Sequence, residues 1–104
     1  MIQGQLFLKI GSPSGEPLDV SQARGALATF SSHASGYSID APASVFDGLG
    51  GVLVVLLGAD SPVAQRPKDW RASVRLAVPS GRVQTRFAQI VLTPQRILVA
   101  LFQL

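Results

Sequence analysis

Both ends of the chain alternate apolar and polar residues with a period of two, the spacing of strands with one buried face. Leu6, Leu8 and Ile10 interleave with Gln5, Phe7 and Lys9, which predicts a strand over residues 2–10. The run Gly11-Ser12-Pro13-Ser14-Gly15-Glu16-Pro17 ends it as a loop. The period then changes. Asp19 precedes Val20, Ala23, Leu27 and Phe30, a stripe that predicts a helix over 19–31, with Asp19 as its cap and Gln22 at the reciprocal capping position. Gly25 inside it costs about 1 kcal/mol relative to alanine. A short strand follows around Tyr37 and Ile39. Asp40-Ala41-Pro42 then reads as a cap and first-turn proline, opening a one- or two-turn helix that ends by Asp47. Val52 to Leu57 is continuously apolar, as in a strand buried on both faces. Residues 61–70 are a polar, proline-bearing connection.

The strongest alternation lies between Arg71 and Leu104 and predicts a three-stranded antiparallel meander. Turns at Pro79–Arg82 and Thr93–Arg96 set its register. Val78 then faces Val83, Leu76 faces Thr85 and Val74 faces Phe87, while Leu92 faces Ile97, Ile90 faces Val99 and Phe87 faces Phe102. One face is core: Val74, Leu76, Val78, Phe87, Val91, Leu98, Ala100, Phe102 and Leu104. The other face is divided, with Arg71, Arg75 and Arg86 at one end and Ile90, Leu92, Ile97, Val99 and Leu101 at the other. A strand apolar on both faces needs two coverings. The 19–31 helix supplies one, and the second comes from the 52–57 region or from another subunit.

These elements make an α+β fold of about five mostly antiparallel strands, with the helix packed on the sheet, in a single domain over 1–104. An all-β sandwich or barrel-like roll is the alternative. The longest apolar stretch, Gly48 to Ala59, is well short of the roughly 20 residues of a membrane-spanning helix. Residues 1–5 lack the basic start and apolar run of a signal peptide. The expected location is therefore the cytoplasm or a virion.

Charge sharpens this picture. Charged residues are 14% of the chain, against about 25% in ordinary soluble domains, so apolar surface should remain exposed. The charges are also unevenly spread. Residues 1–60 carry two basic and five acidic side chains, net −3, and residues 61–104 carry seven and one, net +6. Either the halves, or neighbouring subunits, neutralise each other, or the C-terminal half meets an anionic partner.

In the predicted register Arg75 lies opposite Arg86, with Arg71 and Arg82 nearby. Facing like charges destabilise a ladder. Solvation or a carboxylate such as Asp60 or Asp69 offsets this, or else the four arginines dock phosphate or an acidic surface. No aromatic residues alternate with them as base-stacking platforms, which disfavours nucleic acid. Trp70, at the strand boundary, reads as a packing anchor. His33 is the lone histidine; Ser32, Ser35 and Asp40 are close in sequence, but no nucleophile-elbow glycines surround the serines. With one histidine and no cysteine, a metal site lacks ligands, and no cofactor or small-molecule substrate is expected. Gly48-Leu49-Gly50-Gly51 precedes a strand instead of following one and lacks the lysine of a phosphate loop, so its glycines serve backbone freedom. The function expected is therefore structural, not enzymatic: a homo-oligomer, or a component docked in a larger particle such as a phage virion or tail. A basic accessory domain, gripping nucleic acid or an acidic protein through the 71–86 arginine face, is the alternative.

Overall fold

Two β-sheets face each other across one apolar core. The structure, a computed structural model, describes residues 4–58 and 60–104. The start of the predicted first strand at Ile2 and the Ala59 end of the apolar stretch lie outside them. Among the described residues, ten strands follow in order: β1 Gln5–Gly11, β2 Arg24–Ser32, β3 Ser38–Pro42, β4 Ser44–Asp47, β5 Val52–Leu56, β6 Trp70–Val78, β7 Gly81–Gln84, β8 Ala88–Gln89, β9 Val91–Leu92 and β10 Leu98–Gln103. A single helical turn, α1 at Pro62–Gln65, and a 3-10 turn at Pro67–Asp69 join β5 to β6. The first sheet is ordered β4-β5-β1-β10-β9, with β1 and β10 parallel; the second is ordered β3-β2-β6-β7, with β8 also on β6. Inward residues from both sheets form one buried cluster that includes Leu6, Leu8, Ile10, Phe30, Val74 and Leu98. Each such side chain contributes about 1.5–3 kcal/mol by leaving water.

The α+β expectation is overturned, and the all-β alternative fits. Residues 24–32 of the predicted helix are β2, a strand paired on both sides. The carboxylate of Asp19 does accept from the Ser21 amide, at 2.9 Å, but only one turn closes, with the Ala23 amide on the Val20 carbonyl at 3.0 Å. The register then shifts between Arg24 and Leu27, where Gly25 has φ 61°. This bulge puts an extra residue into the strand, so the core-facing positions Val20, Ala23, Ala26, Ala28 and Phe30 begin with two three-residue intervals that imitate a helix before the strand period of two takes over. The short helix expected before Asp47 is likewise absent among the described residues; those positions end β3 and form β4.

The C-terminal meander is also corrected. The β6–β7 hairpin exists, but Leu76 faces Val83 and Arg75 faces Gln84. At Thr85 the pattern changes, and β8 resumes with Ala72 opposite Ala88. Facing positions beyond that point exchange sides. Phe87 and Val91, expected in the core, are 47% and 54% exposed, whereas Ile90 is buried at 2%. From Ile90 the chain leaves the second sheet for the first. There β9 pairs with β10, Val91 facing Val99 and Leu92 facing Leu98. Phe87 and Phe102 thus belong to different sheets. Leu98, Ala100 and Phe102 are buried as expected, while Leu104 is exposed.

Candidate functional site

The outward face of the first sheet concentrates the exposed apolar surface. Strand register sets a row across all five strands, Ser44–Val54–Phe7–Val99–Val91. The next row reads Asp47–Val52–Lys9–Leu101. Leu56, facing Gln5, adds to the far end. Leu56 and Leu101 are 75% and 65% exposed, and Val54, Phe7 and Val99 are half-buried by their neighbours alone. Phe46, at the bulge in β4, packs edge-on against Phe7 with ring centroids 4.9 Å apart. Such aromatic pairs add about 0.5–1.5 kcal/mol beyond their area.

Local sequence explains the arrangement. Valine and leucine at every position of β5 let it face the core through Leu53 and Val55 and outward through Val52, Val54 and Leu56. The expectation that this strand is buried on both faces holds for one face only. Gly51 precedes it in the left-handed region, at φ 71°, and a side chain there would also run into the backbone oxygens of Ile10 and Leu18, so both conformation and space call for glycine. Gly50 donates its amide to the Asp47 carboxylate at 3.0 Å, which fixes the turn between β4 and β5.

The predicted apolar set is partly brought together. Val99 and Leu101 lie on this face, whereas Ile90 is in the core. Leu92 faces buried Leu98 across the ladder, and Ile97 flanks the β9–β10 turn; they are 44% and 39% exposed. Phe7, Phe46, Val54, Leu56 and Val91 were not anticipated there. The alternation of Gln5, Phe7 and Lys9 was the available signal, since an outward phenylalanine between polar neighbours marks a surface.

The predicted arginine set is dispersed differently. Arg75 faces Gln84 and not Arg86, so the expected like-charge pair does not form. Arg86 lies in the irregular segment between β7 and β8, and Arg71 sits 5.9 Å from the centre of the Phe87 ring. Arg75 and Arg82 instead share a depression with Arg24, a residue hidden within the expected helix.

His33 is exposed and its Nε2 lies 3.2 Å from the Gln89 side-chain oxygen. Ser35 accepts from the Tyr37 amide and Asp40 from the Thr29 hydroxyl, so neither is engaged with the imidazole. The Gln89 amide in turn donates to the Lys68 and Trp70 carbonyls at 3.1 and 3.3 Å, tying β8 to the preceding connection. Trp70 is buried, with Tyr37 edge-on at 6.5 Å, and acts as the packing anchor expected of it. Among the described residues no three His, Cys, Asp or Glu side chains are grouped to hold a metal, and no helix is long and apolar enough to cross a membrane. Comparison with known protein families, curated proteins and solved structures finds no match to this chain.

Proposed function

We propose that this chain is a non-enzymatic assembly protein whose copies join through the outward face of the first sheet, as small β-rich subunits of a virion or phage tail do. The observation that supports it is the apolar row Val54–Phe7–Val99–Val91, flanked by Leu56, Leu101 and Phe46, on a sheet face that stands exposed among the described residues. Half-buried valines ringed by exposed leucines match the composition of a sheet that packs on another sheet about 10 Å away. Contiguous apolar patches beyond a few hundred Å² mark contact surfaces in soluble proteins.

Charge favours a second copy as the occupant. Lys9 and Asp47 stand in one row of the face, separated by Val52. A two-fold axis lying between the copies along β5, over Val52, directs Lys9 of each copy toward Asp47 of the other and places Leu101 of β10 at the rim of the contact, so one surface carries both halves of the complement. Sedimentation velocity at micromolar concentration tests the reading. The expected result is a dimer or higher species, reduced to monomer by Leu101→Asp, whose exposed position leaves the fold intact. A strictly monomeric wild-type protein sinks it.

A further inference from the structure

On the outward face of the second sheet, three arginines surround one alanine. Ala77 of β6 faces Arg24 on one side and Arg82 on the other, and Arg75 lies two residues along the same strand. All four residues are exposed. With neighbouring strands about 4.8 Å apart, the two flanking arginines start roughly 10 Å from each other across a methyl-sized floor. The extra residue in β2 beside Gly25 opens this triangle into a depression of about 400 Å³, edged by Leu27 and Gln84. No acid lines it. Among the described residues the one ion pair is Arg66–Asp69 at 3.0 Å, so none of the three guanidiniums meets a carboxylate. Like charges gathered around one opening repel each other, and a bound anion relieves that repulsion.

We infer that the Arg24–Arg75–Arg82 triangle around Ala77 is a binding site for a phosphoryl group. Each guanidinium presents a planar fork of N–H donors that meets anionic oxygens in pairs. A carboxylate, with two oxygens and one charge, satisfies one fork. A terminal phosphoryl group offers three oxygens and close to two negative charges, which three forks can share. The lining contains no aromatic side chain, so a nucleobase finds no stacking platform and the recognised chemistry is the phosphate itself. That phosphate is either free or the terminal phosphate of a nucleic-acid strand.

Titration of the isotope-labelled protein with inorganic pyrophosphate, followed by arginine side-chain resonances and by calorimetry, tests this. Saturable one-to-one binding that perturbs Arg24, Arg75 and Arg82 is expected. Ala77→Glu, which sets a carboxylate inside the triangle at an exposed position, and Arg82→Gln should each weaken it by about tenfold or more, the scale of one lost charged hydrogen bond. Arg96→Gln, in the β9–β10 turn of the other sheet, should leave binding unchanged. Equal weakening by Arg96→Gln, absence of saturation, or tighter binding of a polyglutamate peptide overturns the assignment. A short single-stranded oligonucleotide with and without a 5′-phosphate distinguishes the sources: tighter binding than pyrophosphate that needs the 5′-phosphate and is lost with Ala77→Glu makes a strand terminus the ligand, the reverse order supports free phosphate, and oligonucleotide binding that does not need the 5′-phosphate overturns the assignment. The site is independent of the assembly face, so the Leu101→Asp protein should bind pyrophosphate as the wild type does.

Discussion

The backbone amide of Val74 donates to the side-chain hydroxyl of Thr85 at 2.9 Å, while the Thr85 amide donates to the Val74 carbonyl, also at 2.9 Å. In an unbroken ladder the Val74 amide would reach a backbone carbonyl instead. The hydroxyl takes that place, and the backbone beyond Thr85 is free to slip by one residue. Both groups are buried. Thr85→Val removes the acceptor and leaves a buried amide unpaired, so it should cost about 1–3 kcal/mol, and Thr85→Ser should recover most of the loss. Urea denaturation of the three proteins measures this. Equal stability of Thr85→Val and wild type means the hydroxyl does not hold the bulge.

That substitution of hydroxyl for carbonyl explains one part of what the sequence could not reveal, the exchange of sides beyond Thr85. Strand alternation in β1, β6 and β10 was legible, because each buries every second residue against the core. The bulges at Gly25 and Thr85 were not. Each breaks the period without a local signature, since the partner strand decides where an extra residue is accommodated. At Gly25 the break looked like a helix, and at Thr85 it moved Phe87 outward and Ile90 inward. The switch of sheets at Ile90 was equally invisible, because the parallel pairing of β10 with β1 joins opposite ends of the chain. The same causes decide how much of the sites could be foreseen. Val99 and Leu101 followed from unbroken alternation, while Arg24 was lost inside the bulge.

Two left-handed glycines should respond unequally to alanine. Gly25 has open space where a side chain would go, so Gly25→Ala should cost only the conformational term, about 1–2 kcal/mol. Gly51 carries the same term, and its added methyl would also meet two backbone oxygens, those of Ile10 and Leu18. Gly51→Ala should therefore be clearly the more destabilising in thermal denaturation. A reversed order would contradict the packing of β5 against the loop before Val20.

Asp19 links stability to pH. The Ser21 hydroxyl, at 2.6 Å, and then the Ser21 amide hold its carboxyl below the ordinary value of 3.8. A carboxyl depressed in the folded state stabilises above its unfolded pKa, and that contribution is lost as pH falls through the folded one. Asp19→Ala should thus lower stability at neutral pH, and the gap from wild type should narrow below about pH 4. Because the side chain is fully exposed, the effect should be small. Denaturation midpoints measured from neutral to acid pH check the sign. A gap that widens in acid would contradict it.

The charge row on the first sheet supplies the sharpest test of a second copy as partner. In a two-fold pairing, Lys9→Glu sets two acids against each other at each of the two symmetric contacts, and Asp47→Lys, which also gives up the acceptor of the Gly50 amide, sets two bases there. Each single variant should weaken self-association. Combining them restores opposite charges with their places exchanged, so the double variant should recover most of the wild-type affinity. A foreign partner with a fixed charge pattern would instead reject the double variant more strongly than either single one. Both positions are exposed, and exposed ion pairs are typically worth about 0.2–1 kcal/mol, so two such contacts should change the dimer constant severalfold. Raising salt should shrink the differences between the proteins, since rim charges are screened while the apolar rows are not. Sedimentation equilibrium on the four proteins at two ionic strengths reads out all of these shifts. Failure of the double variant to recover, with its fold intact, removes the two-fold arrangement.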